Sequence, residues 1–170
     1  MSGSPRSAQE QRKLDEALID LFERRITFNQ VLGLKVASVK EGDVRAGFAM
    51  RPELIGHYAH GRLHGGVISA VLDAMGGLAL MVGIGARHPD DSAEQVMHRF
   101  ARMGTIDLRV DFLRPGLGQA FVATAEVTRL GGRIGSTQMR LTAEETGVLV
   151  ATAAAAYVVK IGRASCRERV

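Results

Sequence analysis

One segment of the chain, residues 65–86, carries a single charge, the carboxylate of Asp73. An apolar run of this length forms either a membrane span or a helix that its own protein buries on all sides. An Asp at the centre of a bilayer costs roughly 2.5–3.5 kcal/mol. The chain that follows alternates between apolar and polar residues, as the strands of a sheet do. We therefore predict a long core helix inside a sheet, and no membrane span.

Helix geometry limits how this segment can act. Asp73 lies nine residues after His64, which is about 13 Å along the helix axis and half a turn around it. If the helix start and Asp73 are both catalytic, they cannot serve one site within one chain. A second subunit must then supply one of them.

The helix face around Asp73 is built of small residues. The residues that lie on the same helix face as Asp73 are Ser69, Ala70, Gly76 and Gly77. Such a face leaves room for a close-packed partner or for a thin ligand beside the carboxylate. A buried carboxylate requires either structural hydrogen bonds or a reactive role, and the residues alone favour neither.

Composition excludes several classes of function. The chain has 170 residues and a net charge of +4, which allows one domain with a sizeable core. Aromatic residues make up 5% of it, with no Trp, and this disfavours base stacking and a nucleic-acid partner. The slight excess of Arg suits a small phosphate-bearing ligand. A single Cys and the lack of an apolar leader predict a cytoplasmic protein.

The spacing of apolar residues predicts the elements of the first half of the chain. An amphipathic helix is expected at about residues 8–28, within an N-terminal segment, 1–28, that precedes the main domain, 29–161. A hairpin is predicted at residues 34–50, before the core helix. At the other end, residues 162–170 break the strand pattern, and we interpret them as an appended tail left by cloning.

The second half of the chain is predicted to be mostly β. A polar segment, residues 87–104, is either a lid over a site or a mobile excursion. Four strands then follow as a meander: residues 105–114, 119–129, 134–143 and 148–160. In the first strand, alternation places Thr105 on the face opposite Ile106 and Phe112. The whole order predicts an α+β fold, an antiparallel sheet wrapped around the long central helix.

The loop before the core helix is rich in histidine. His57, His60 and His64 lie three and four residues apart. This spacing would make a ligand face on a helix, but the neighbouring Gly56 and Gly61 favour a loop. Because carboxylate or Cys partners are lacking, we predict no metal site.

These residues resemble the hotdog-fold thioesterases, in particular the PaaI-like acyl-CoA thioesterases. The resemblance covers residues 28–160. It is carried by His64-Gly65-Gly66, by Asp73, and by the strand that begins at Thr105 and ends in Phe-Leu-Arg-Pro-Gly. It implies the hotdog fold, an acyl-CoA substrate, and a homodimer or dimer of dimers with its sites at the subunit interface.

The resemblance also implies catalytic roles. A backbone amide at Gly65 or Gly66 would form the oxyanion hole, where the helix N-terminus favours negative charge. Asp73, from the opposite subunit, would act as general base on water or as nucleophile. The family usually has an Asn six or seven residues before the His, where this chain has Tyr58 and His57. His57 either donates a hydrogen bond in that role or faces solvent.

Further residues are assigned to the site on the same resemblance. Thr105 is the candidate for holding the attacking water. Arg129 and Arg133 flank a Gly-Gly turn and either bind the phosphates of CoA or form an ordinary solvated hairpin tip. His64 fixes the loop before the helix, and an aliphatic acyl chain is expected along the small-residue face. The predicted substrate-binding residues are His64, Ser69, Gly76, Gly77, Arg129 and Arg133.

The sequence thus predicts an acyl-CoA thioesterase that releases a free acid and CoA. No metal or redox cofactor is expected, because a thioester is already an activated acyl group. One alternative is an acyl-CoA-binding hotdog domain without turnover. The other is an enoyl-CoA hydratase, whose chemistry requires an Asp/His pair close together in one chain.

Overall fold

A computed structural model describes residues 5–159 of the chain, and the tail predicted at residues 162–170 lies outside this range. The helices are α1 (Ala8–Asp20), α2 (Thr27–Leu32), α3 (Gly65–Arg87) and α4 (Ala93–Arg99). The strands are β1 (Lys35–Lys40), β2 (Asp43–Ala49), β3 (Ile55–His57), β4 (Arg62–Leu63), β5 (Gly104–Phe112), β6 (Ala120–Leu130), β7 (Ile134–Ala143) and β8 (Leu149–Val158).

The apolar segment forms one continuous helix, α3, as predicted. By length and composition α3 is able to cross a bilayer, but 67% of its most apolar window is buried inside the protein. Its apolar side chains, among them Leu72, Met75 and Leu80, join the single hydrophobic core. The helix is therefore packed as the core helix of a folded domain.

Six strands form one antiparallel sheet in the order β1-β2-β6-β7-β8-β5, and α3 packs across it. The short strands β3 and β4 pair separately. On β8, Ala151, Ala153 and Ala155 are buried, and their small side chains let this strand approach the helix closely. The predicted α+β architecture, an antiparallel sheet wrapped around a long central helix, is confirmed.

The predicted four-strand meander is wrong at its first strand. Only β6, β7 and β8 follow one another in the sheet, whereas β5 pairs with β8 at the sheet edge. The position beside β6 is taken by β2, which pairs with it from Val44 to Ala49. Alternation identifies a strand but does not identify its neighbour, so this pairing was not accessible from the periodicity.

The predicted placement of Thr105 on the face opposite Phe112 is also wrong. In β5, Thr105 pairs with Tyr157 and Leu108 pairs with Ala155, with a register shift between Thr105 and Asp107. This β-bulge inserts one residue and turns both Thr105 and Leu108 to the helix side of the sheet. Strict alternation would have placed them on opposite faces.

The N-terminal segment is broken into two helices, not one. After α1, a π-helical turn at Leu21–Arg25 leads into α2, which ends at Gly33 with a left-handed backbone (φ 72°). Leu14 and Leu18 of α1 are buried in the same core as α3.

Within the polar segment that follows α3, α4 begins with a Ser92 capping box and packs against α1.

Candidate active site

The middle of α3 presents a carboxylate held by two neighbouring strands. The hydroxyl of Thr105 on β5 donates to Asp73 Oδ1 at 2.9 Å. The hydroxyl of Tyr157 on β8 lies 2.8 Å from the backbone oxygen of Asp73 and 3.2 Å from Oδ1. The other carboxylate oxygen, Oδ2, accepts no hydrogen bond from the described residues and is not sealed from solvent. One oxygen of Asp73 is thus fixed and the other is open.

Tyr157 was missed by the sequence analysis. Its side chain is 2% exposed, and this burial, together with the adjacent charge of Asp73, raises the pKa of its hydroxyl above the ordinary value. The hydroxyl is therefore a proton donor throughout the neutral range. The one available signal was its position, a large polar side chain after a run of alanines.

The two adjacent glycines of α3 have different surroundings. A β-carbon on Gly76 would lie 2.7 Å from Thr137 Oγ1 and 3.0 Å from Tyr157 Cζ, and still closer to the Tyr157 oxygen. A β-carbon on Gly77 would meet only Met103 Cε, at 3.6 Å. Beside Gly76 the space is occupied by Tyr157 and Thr137, so the absence of a side chain at Gly76 lets Tyr157 approach the helix, whereas Gly77 has no such close neighbour.

The start of α3 leaves one amide without a partner. His64 is the N-cap, and its Nδ1 accepts from the N–H of Gly66 at 2.8 Å. The ring is held in place because a β-carbon on Gly56 would lie 2.6 Å from His64 Cα, so the preceding loop packs directly on this residue. The N–H of Gly65 donates to no acceptor among the described residues. Of the two candidate amides, Gly65 is the available one.

Other predicted residues have partners of their own. The Ser69 hydroxyl donates to the Gly65 carbonyl at 3.0 Å, within its own helix. The His57 ring centroid lies 4.7 Å from that of His60 and 5.8 Å from that of Tyr58, and His57 Nδ1 is buried without a hydrogen-bond partner. Within residues 5–159, no group of three His, Cys, Asp or Glu side chains converges as a metal site requires.

The two predicted phosphate-binding residues lie at the end of the sheet nearest Asp73. Arg129 and Arg133 are exposed around the β6–β7 turn. Across the sheet, Thr105 pairs with Tyr157, and Tyr157 pairs with Gly135. Arg133, next to β7, therefore lies two strands away from Thr105, a lateral distance of about 10 Å. Arg129, on β6, lies three strands away, at about 14 Å.

The family of the chain follows from its match to a known domain. Residues 60–150, more than half of the 170 residues, match the model of the thioesterase superfamily. The chain belongs to this superfamily and is a thioester hydrolase of the hotdog fold. A particular relative is the medium/long-chain acyl-CoA thioesterase YigI of Escherichia coli (strain K12), with 36% identity over 140 residues, 82% of this chain and 90% of YigI.

Solved structures show the same fold. A protein from Shewanella oneidensis related to the thioesterase superfamily superimposes with a TM-score of 0.82 at 36% identity, covering 90% of this chain and 99% of its own. A thioesterase family protein from Silicibacter pomeroyi gives a TM-score of 0.66 at 23% identity, covering 86% and 98%. The second is similar in fold alone. The predicted hotdog fold and the predicted membership of the thioesterase superfamily are confirmed.

Proposed function

We propose that this protein is an acyl-CoA thioesterase that hydrolyses an acyl-CoA to a free acid and CoA. The observation that carries the proposal is the Asp73 carboxylate, fixed through Oδ1 and open at Oδ2. The resemblance to YigI, which is named for medium and long acyl chains, supports aliphatic acyl groups of that size as substrates.

In the proposed reaction, Asp73 Oδ2 takes a proton from a water molecule as the water oxygen attacks the thioester carbon. Direct attack by Oδ2, which would form an anhydride that water then cleaves, is the alternative. The carbonyl oxygen becomes an oxyanion, and the free N–H of Gly65 at the helix start stabilises it. The C–S bond then breaks, and the CoA thiolate leaves and recovers a proton. Thr105 orients Asp73 and its oxygen remains able to accept from the water.

The Asp73 carboxylate and the Gly65 amide of one active site are proposed to come from different subunits and to meet at the dimer interface. Gly65 and Asp73 are separated by about 12 Å along α3, whereas both must lie within hydrogen-bond reach of one reacting group. The outer edge of β5 is unpaired among the described residues, and Ile106 and Phe112 on this strand are 57% and 56% exposed. An open edge strand with exposed apolar side chains favours pairing with a second chain. A homodimer, alone or within a dimer of dimers, would bring Asp73 to Gly65 of the partner subunit.

Substrate binding completes the proposal. Arg129 and Arg133 are proposed to bind the CoA phosphates, because they are exposed at the sheet end that carries Thr105. His57 is proposed to donate to the thioester carbonyl in place of the family's Asn. A cytoplasmic location, and a main domain at residues 29–161, are likewise parts of the proposal.

The primary test is thiol release from a panel of acyl-CoAs by wild type and Asp73→Asn, with melting curves for both. We expect the variant to fold and to lose a factor of about 10²–10⁴ in turnover, as for removal of a general base. If Asp73→Asn loses stability more than activity, Asp73 is structural. If wild type gives no turnover but acyl-CoA raises its melting temperature, the protein is an acyl-CoA-binding domain.

The oxyanion role is tested by removing one N–H group. Gly65 is the first residue of α3, and the preceding His64 is extended (φ −67°, ψ 137°), so proline fits this position and deletes only the amide hydrogen. Gly65→Ala, whose β-carbon would meet Phe112 at 3.5 Å, an ordinary contact, keeps the N–H and is the reference for added bulk. We expect Gly65→Pro to lose about 10²–10³ in kcat relative to Gly65→Ala. Equal rates would refute the assignment.

Subunit sharing is tested by mixing the two inactive variants. If Asp73 and Gly65 of one site come from different subunits, a mixed dimer of Asp73→Asn and Gly65→Pro chains has one intact site and one doubly altered site. Half of randomly mixed dimers are of this kind, so activity should recover to about a quarter of the wild-type value. No recovery, with mixed dimers verified by mass, would place both groups in one subunit.

A further inference from the structure

We propose that Tyr157 is a positioning residue that, together with Thr105, holds Asp73 by Oδ1 and so makes Oδ2 the reactive oxygen. The inference rests on the proposed thioesterase function and deepens it. It adds to the site a side chain that lies on the last strand and that no feature of the motif around the helix start indicates.

Asp73 is held by two hydroxyl side chains, Thr105 and Tyr157, which we call the clamp. Thr105 and Tyr157 are direct partners in the β5–β8 ladder, and both hydroxyls reach the same carboxylate oxygen, at 2.9 and 3.2 Å. Tyr157 also lies 2.8 Å from the backbone oxygen of Asp73. A hydroxyl shared between the backbone and the side chain of one residue fixes the side-chain torsion relative to the helix axis. The bulge in β5 completes the pair by turning Thr105 inward.

The helix is shaped to admit this hydroxyl. A side chain at position 76 would overlap Tyr157, whereas glycine leaves the approach open. Tyr157 is 2% exposed, so its ring has no freedom to turn away from Asp73. Burial and the charge of Asp73 raise the pKa of Tyr157, which keeps the hydroxyl protonated and able to donate at neutral pH.

The test is a comparison of kcat and KM for acyl-CoA hydrolysis by Tyr157→Phe and by wild type. The matched control is Tyr58→Phe, which alters the only other tyrosine of the chain, 94% exposed in the structure. A carboxylate that loses one of its two donors is held less firmly in the orientation that the reaction needs. We therefore expect Tyr157→Phe to have a kcat about ten-fold lower and a KM nearly unchanged.

The outcomes separate this inference from the proposed function. If Tyr157→Phe keeps the kcat and KM of wild type and differs only in melting temperature, Tyr157 is a packing residue and the inference is wrong, while the thioesterase function stands. If wild type shows no turnover on any acyl-CoA, both fall together.

A second measurement applies even if Tyr157→Phe does not fold. In the Tyr58→Phe background, incorporation of 3-fluorotyrosine labels Tyr157 alone and gives one ¹⁹F signal. We expect the chemical shift of this signal to change in the additional variant Asp73→Asn, because the Tyr157 hydroxyl lies 3.2 Å from Asp73 Oδ1. The same chemical shift in both proteins would overturn the clamp.

Discussion

The adjacent glycines of α3 give a sharp test of the packing around the site. Gly76→Ala and Gly77→Ala add the same methyl group to the same helix one residue apart. At Gly77 the new carbon meets a flexible Met103 terminus at 3.6 Å, an ordinary contact. At Gly76 it would stand 2.7 Å from Thr137 Oγ1 and 3.0 Å from Tyr157 Cζ, where about 3.5–4.0 Å is normal. The Tyr157 ring would have to move by about 1 Å within a close-packed core.

The size of the effect follows from three contributions. Overpacking costs about 1–3 kcal/mol, and loss of the hydrogen bond to charged Asp73 costs about 1.5–3 kcal/mol. Alanine in place of glycine within a helix gains about 1 kcal/mol. We therefore expect Gly76→Ala to lower the free energy of unfolding by about 1.5–5 kcal/mol, which is roughly 3–20 °C in melting temperature for a chain of this length. Gly77→Ala should be neutral or more stable by up to about 1 kcal/mol.

The assay is urea unfolding followed by circular dichroism, at equal protein concentration for wild type and both variants. The double variant Gly76→Ala/Tyr157→Phe removes the nearest atom, so it should be less destabilised than the sum of the single changes. The reasoning would be refuted if Gly76→Ala were as stable as Gly77→Ala. It would also be refuted if the double variant showed no coupling.

Two further predictions concern stability. The raised pKa of Tyr157, against an ordinary value of 10.0, means that the folded state favours the neutral hydroxyl; this stabilisation is complete below pH 10 and is lost as the pH rises towards the raised pKa. Urea midpoints of wild type should therefore fall more steeply above pH 10 than those of Tyr157→Phe, and parallel slopes would contradict this. Separately, Arg6 donates to three backbone oxygens around the end of α3, those of Gly85, His88 and Asp91. Arg6→Ala should cost about 1–3 kcal/mol in urea unfolding, and Arg6→Lys, whose single ammonium cannot span all three, should recover only part of it.

The parts of the fold that the sequence predicted depend on local patterns. The core helix follows from a run with one charge, and the hairpin before it follows from alternation around a short turn. His64 was expected to fix the loop before the helix, and in the structure it is the N-cap of α3. In each case the residues that decide the structure are close together in the chain.

The parts that the sequence did not predict depend on distant contacts. Thr105 was named as a site residue, but its orientation required knowledge of a bulge, which is defined only by the register against β8. Tyr157 lies 84 residues from Asp73, and no spacing rule connects them. At Gly76 the neighbours are Tyr157 and Thr137, which the sequence did not predict, because a glycine on a helix face indicates close approach without indicating what approaches.

Strand β5 has a consequence for how the protein behaves in dilute solution. One end of β5 holds Asp73 through Thr105, and the other end lies against the helix start through Phe112. Within residues 5–159, only one edge of β5 is paired. If that edge is completed by a second chain, dissociation would leave β5 held from one side and free to fray. Specific activity would then decline as the enzyme is diluted towards its dissociation constant, even before any subunit unfolds. Formation of the dimer and the orientation of the Asp73 carboxylate would then both depend on β5.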